Sequence, residues 1–165
     1  MAKAKILLER RADAFMRSLY RLLGSTPLSF ADADIPERPG IYVIYGIAEQ
    51  PYYIGQSGNL RRRLLVDHRK GNGKSSIFRR KLARIKQLES ERAVTSYIVE
   101  KCSLRFLELE SEWERLKLEH FATAILSPVL NAPVGWYNGA ISSREAGQCL
   151  QNVSSPASMS IAAAS

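Results

Sequence analysis

Tyrosines, an arginine cluster and one glutamate carry most of the chemistry this sequence could do. A carboxylate such as Glu119 can hold a hard divalent cation, Mg²⁺ or Mn²⁺, because such ions prefer oxygen ligands and keep several waters. An arginine such as Arg63 presents a planar fork that matches two oxygens of a phosphate, which a lysine does not reproduce. A free phenol titrates near 10, so Tyr42 or Tyr53 can orient a water by hydrogen bonding but acts as a base only with help from nearby positive charge. Each residue also has a plainer reading. Arg63 lies in an Arg61-Arg62-Arg63 triplet, as a surface cation would. Glu119 shares a helical stripe with Glu108, Glu112 and Arg115, and an Arg115–Glu119 pair on a solvated face would produce that spacing. His68 by itself suits a surface or capping position.

The elements that must position these groups can be read in order. Gly40-Ile41-Tyr42 and Tyr53-Ile54-Gly55 lie in two short runs rich in Ile, Val and Tyr, separated by a loop with Gly46 and Pro51. This is the pattern of a β-hairpin. Alternation puts Tyr42 and Ile44 on one face and Ile41, Val43 and Tyr45 on the other, with Tyr42 and Tyr53 brought close. Before the hairpin, residues 1 to about 24 read as an amphipathic helix stopped at Gly24, followed by a proline-broken linker from Ser25 to Pro39. After it, Asn59 can cap a helix through Arg61–Leu65, and Ser75 or Ser76 opens a second basic helix. Ala93–Val99 alternates as a third strand, and Ser103 looks like the cap of a long helix ending near Ser127. The sum is an α+β fold: a small three-stranded antiparallel sheet flanked by helices, with an added N-terminal helix. The expected organisation is residues 1–37 as helix and linker, 38–140 as the main domain, and 141–165 as a Ser/Ala-rich tail without fixed structure. Trp136 and Tyr137 read as anchors of the C-terminal segment.

The formal net charge is +8. It is concentrated: Arg61–Lys86 holds eleven cations against the single acid Asp67. A basic patch of this kind fits the phosphate backbone of a nucleic acid, giving affinity and register without sequence information. The expected contacts are Arg61, Arg62, Arg69, Lys70, Lys74, Arg79, Arg80 and Lys81. Two cysteines, Cys102 and Cys149, and two histidines without metal-type spacing argue against a structural zinc site or a disulfide framework. There is no membrane-length apolar run and no signal-peptide core, so no membrane partner is expected and a cytoplasmic, nucleoid-associated setting is the default.

The hairpin tripeptides, Arg63 ten residues past Tyr53, and Glu119 twelve residues before Asn131 resemble the GIY-YIG nuclease superfamily. The resemblance covers about residues 38 to 133. It implies a metal-dependent endonuclease that hydrolyses DNA phosphodiesters, double-stranded DNA foremost, with one Mg²⁺ or Mn²⁺ per site. Tyr42, Tyr53, Arg63 and Glu119 would be catalytic, with Glu119 as the metal ligand and Tyr42 taking a proton from the attacking water. Gly40, Gly55 and Asn131 would be structural neighbours of the site, and a homodimer is one possible assembly. Two positions depart from the pattern. Some relatives have a lysine where this chain has Gln56. Several have a histidine four residues after the arginine, where this chain has Asp67, with His68 one place late. The alternative reading is a nucleic-acid-binding protein on the same scaffold, silenced at those positions.

Overall fold

The hairpin forms where the alternation places it. In the computed structural model, which describes residues 2–131, β2 (Gly40–Tyr45) pairs antiparallel with β3 (Pro51–Ser57). The other side of β2 pairs antiparallel with β4 (Ser103–Glu108). A two-residue strand β1 (Leu28–Ser29) joins the far edge of β4, so the sheet order is β1-β4-β2-β3. The expected three strands are thus present, with a short fourth contributed by what reads in sequence as linker. All six residues of β2 are buried, because both faces of this central strand are covered. Tyr42 and Ile44 face one core with Leu60, Leu64, Phe78, Val94 and Ile98. Ile41, Val43 and Tyr45 face a second core with Leu19 and Leu22 from α1 (Ala2–Leu23) and Leu118 and Ala122 from α4 (Glu112–Leu126). Residues 1–37 are therefore built into the same body as the hairpin: Phe30 and Ile35 also lie in the first core.

The sequence reading fails between residues 90 and 111. Residues 93–99 are not a strand but the body of α3 (Glu91–Lys101), capped by Ser90, whose hydroxyl accepts the Ala93 N–H. The β-branched residues Val94, Thr95, Ile98 and Val99 suggested a strand, yet the buried pair Val94 and Ile98 is one helical turn apart. Ser103 conversely begins β4 rather than capping a helix. The true start of α4 is Ser111, which accepts the Glu114 N–H in an S-x-x-E sequence, whereas Ser103 has Phe106 at the corresponding place. Glu108 consequently lies in a strand, and the solvated stripe through Glu108 and Glu119 does not exist.

Asn59 Oδ1 accepts the Arg62 N–H and starts the next helix, but residues Arg62–Lys70 wind as a π-helix. Its i→i+5 bonding brings residues five apart onto one face. The π-helix is fixed from behind by Arg79, which is 1% exposed. Its guanidinium donates to the carbonyls of His68, Arg69 and Glu91 at 2.9 Å each, to Thr95 Oγ1, and to the Glu91 carboxylate at 2.7 Å. Arg79 is therefore a structural clamp between the π-helix, α2 (Ile77–Lys86) and α3, and the expectation that it contacts a nucleic acid is corrected. Arg79→Met is expected to cost about 3 kcal/mol or more, since it strands several buried acceptors. Arg80→Met, one exposed residue away, should change stability by no more than about 0.5 kcal/mol. Urea unfolding of the two variants checks both values.

The outer edge of β3 is closed by the segment after α4. Val129 and Leu130 donate backbone N–H groups to the Pro51 and Tyr52 carbonyls. Asn131 then holds Ile54 at both ends, accepting its N–H at 2.8 Å and donating to its C=O at 2.9 Å. The side-chain amide imitates one residue of a neighbouring strand, which protects an edge that would otherwise expose unpaired groups. No helix among the described residues is long and apolar enough to cross a membrane. The expectations for Trp136, Tyr137, the boundary at 140 and the 141–165 tail lie outside the described residues.

Candidate active site

Tyr42 sits at the centre of β2 with its hydroxyl at the meeting point of three elements. Register places it opposite Gly55, and Ile44 opposite Tyr53. The Tyr42 and Tyr53 ring centroids are 6.4 Å apart. Gly55 is glycine because the Tyr42 hydroxyl and the Tyr53 ring edge fill the space a Cβ would need. Gly40 is likewise hemmed in by the Leu107 carbonyl and the Leu60 side chain.

The π-helix delivers the next two groups. Arg63 Nε donates to Tyr42 Oη at 3.4 Å, and its Nη1 pairs with Asp67 at 3.3 Å. His68, five residues on from Arg63, is fully buried, and its Nε2 lies 2.7 Å from Tyr42 Oη. The wider π turn thus accounts for the histidine standing one place late. Asp67 faces Arg63 while His68 faces Tyr42, and the extra residue is absorbed by the helix without displacing the ring. His68 also packs edge-on against Tyr42, Tyr53 and Phe78 at centroid distances of 5.4, 5.9 and 5.3 Å. A surface or capping role for His68 is therefore corrected: it is part of the buried site. Sequence spacing could not find this, because nothing in Arg62–Lys70 by composition announces a π-helix.

Glu119 reaches the same region from α4. It is half-buried and makes no ion pair with any described residue, Arg115 included. Arg115 is instead turned inward, donating to the Leu109 and Glu110 carbonyls and, through Nε, to Gln56 Oε1 at 3.2 Å. Gln56 thus docks a cation supplied by α4, where some relatives carry one of their own. Burial pushes the Glu119 carboxyl above the usual range, partly offset by His120 and Arg63. Burial likewise raises both phenols. For Tyr42 the neighbouring Tyr53 adds to the rise, while Arg63 opposes it in both. Glu119 raises both tyrosines as well, which places its charge in electrostatic reach of the two hydroxyls. A half-buried, unpaired carboxylate beside two phenols and an arginine suits a hard divalent cation. Among the described residues no group of three or more His, Cys, Asp or Glu side chains gathers as a metal cage.

His68 is held well below its ordinary range by burial, then by Arg63 and Arg79. The buried ring is therefore neutral in the folded chain, while an unfolded chain takes up a proton near pH 6.5. Below that pH the unfolded state binds more protons, so the contribution of His68 to stability is full above 6.5 and falls as pH drops toward the folded value. We expect a loss of up to about 1.4 kcal/mol per pH unit below 6.5, and a flatter profile in His68→Gln. Thermal unfolding between pH 5 and 8 measures it.

The remaining basic residues divide by role. Arg62, Lys70, Lys74 and Arg80 are exposed. Arg61 is exposed too, near Asp34 and Glu37 at 3.7 and 3.9 Å. Arg69 and Lys81 are partly buried and donate to the Phe30 and Leu130 carbonyls, at 2.7 and 2.8 Å. Those two hold the fold together as well as adding charge.

The model of the GIY-YIG catalytic domain matches residues 38–122, just over half of the chain. No curated protein matches it. Among solved structures, the chain is similar to the GIY-YIG N-terminal endonuclease domain of UvrC from Thermotoga maritima. A point mutant of that domain bound to its catalytic divalent cation aligns at 22% identity and TM-score 0.37, covering 61% of this chain and 89% of that one. The magnesium-bound form aligns at 23% identity and TM-score 0.36, covering 60% and 89%. Likeness of that depth carries no weight for individual residues, and the family assignment rests on the domain match. On that match the chain belongs to the GIY-YIG family and is an endonuclease, a hydrolase of phosphodiester bonds.

Proposed function

We propose that this nuclease is metal-dependent and cuts the backbone of double-stranded DNA at a site built around one divalent cation. The observation that carries the reading is the convergence of Tyr42, Tyr53, Arg63 and the unpaired Glu119 on one side of the sheet. Glu119 would hold Mg²⁺ or Mn²⁺, whose charge would favour the negative charge developing on the phosphate and the leaving oxygen. Arg63, steadied by Asp67, would offer N–H groups to the non-bridging oxygens. Tyr42 would receive the proton of the attacking water, and Tyr53 would orient that water or the phosphate. With little covalent work required of the protein, positioning and electrostatics would supply most of the rate. The exposed Arg61, Arg62, Lys70, Lys74 and Arg80 would follow the duplex backbone. An enzyme with these properties would work on the nucleoid in the cytoplasm. Two-strand cutting would need either a homodimer or two successive nicks.

The test offers one labelled sequence as duplex DNA, single-stranded DNA and duplex RNA, with Mg²⁺, Mn²⁺ or EDTA. Duplex DNA should be cut only with metal, and binding should weaken steeply with added salt. Cutting in EDTA would contradict metal dependence, and cutting of RNA alone would contradict the substrate. Salt-sensitive binding without cutting in any metal would favour the silenced scaffold, in which the Arg63–Asp67 pair keeps the fork occupied.

A further inference from the structure

Behind Tyr42 a chain of hydrogen bonds runs into the fold and ends at Ser76. Ser76 is fully buried. Its Oγ accepts the Arg79 N–H at 3.2 Å, capping α2, and lies 2.7 Å from His68 Nδ1. The other ring nitrogen lies 2.7 Å from Tyr42 Oη, which also accepts the Arg63 Nε–H. A neutral imidazole carries one N–H, so the chain can be ordered in two ways.

In the first, Tyr42 O–H donates to Nε2 and the Nδ1–H donates to Ser76. Ser76 Oγ then accepts twice, from His68 and Arg79, and its own hydrogen has no acceptor among the described residues. An unpaired hydroxyl hydrogen in a fully buried position is costly. In the second, Ser76 O–H donates to Nδ1 and the Nε2–H donates to Tyr42 Oη. Every polar hydrogen of Ser76 and His68 is then used. The one left over is Tyr42's own, which a water or phosphate oxygen at the site can accept. Arg63 and Arg79 on either side of the ring disfavour an imidazolium, so His68 is poorly suited to take a proton from Tyr42.

We infer that Ser76 is a positioning residue: its hydroxyl donates to His68 Nδ1 and holds the imidazole as the Nε2–H tautomer, so that His68 donates to the Tyr42 oxygen rather than accepting its proton. Tyr42 Oη then receives two N–H groups, from His68 and from Arg63. Both strengthen when that oxygen becomes a phenolate, the form that would accept a proton from water, and in this the inference rests on the proposed function.

Nitrogen-15 NMR of the His68 ring in the full chain reads the tautomer without substrate. The expected spectrum has a bare Nδ1 and a protonated Nε2. Ser76→Asp keeps a capping oxygen for the Arg79 N–H but offers His68 only lone pairs. It should move the proton to Nδ1, lower cleavage at neutral pH by about tenfold or more, and shift the rising limb of the pH–rate profile to higher pH. Ser76→Thr, which keeps the hydroxyl, should restore the tautomer and the profile. A wild-type ring protonated at Nδ1 would overturn the inference, as would a ring that keeps its Nε2–H in Ser76→Asp. Should Ser76→Asp not fold, the wild-type spectrum alone decides the direction of the bond. A chain that cuts no DNA would refute the proposed function and leave the tautomer result standing.

Discussion

Glu119→Ala is expected to remove divalent-dependent cleavage almost entirely, by about 4 kcal/mol, close to a thousandfold in rate. Glu119 is the carboxylate whose charge both tyrosines register, and no second one appears among the itemised influences on Tyr42 or Tyr53. The fold should tolerate the change. Burial already raises the carboxyl and so works against its charged form, and no ion pair among the described residues is lost with it. Stability should stay within about 1 kcal/mol of wild type, because a surface-like truncation without a broken network costs little. Glu112→Ala, in the exposed first turn of the same helix, is the matched control and should leave cleavage unchanged. Single-turnover cleavage across a Mg²⁺ titration, with urea unfolding alongside, separates loss of chemistry from loss of fold.

Tyr42→Phe removes one oxygen and is expected to slow cleavage by about 10²- to 10⁴-fold, the range for a lost general acid or base. Unlike Glu119→Ala, it should also destabilise the chain. His68 and Arg63 both direct a nitrogen at the Tyr42 oxygen, and the buried His68 would lose a partner in a place water does not reach. A cost of about 1–3 kcal/mol follows. The pH profile gives the sharper signature. Burial keeps the phenol above its ordinary range, so the phenolate is a small fraction at neutral pH and grows as pH rises. Cleavage limited by that fraction should climb with a slope near one in log rate against pH, and Tyr42→Phe should lose the climb.

Much of this site was legible because it rests on short-range patterning. Alternation in Gly40–Tyr45 assigned Tyr42 and Ile44 to one face, and they share one core as a central strand requires. The Asn59 cap was readable from its side chain, and it starts the helix that carries Arg63. What sequence could not give depends on tertiary context. Arg79 is one of eleven cations in its stretch, and only the fold distinguishes it by surrounding it with carbonyls. His68 joins the site through a π-helix, a winding that no residue type encodes. The strand and helix on either side of Cys102 were exchanged because β-branched residues in α3 outweighed the caps at Ser90 and Ser111. Ser76 was readable as a helix cap, but its contact with His68 spans two elements and is visible only in three dimensions.

The central claim is that these four side chains form a working phosphodiesterase site on DNA. Incubating supercoiled plasmid with the purified chain and with its Glu119→Ala variant, in Mg²⁺ and in EDTA, addresses it most directly. The account predicts nicked or linear product from the wild-type chain in Mg²⁺, none in EDTA, and none above background from Glu119→Ala. Equal cleavage by Glu119→Ala would contradict it.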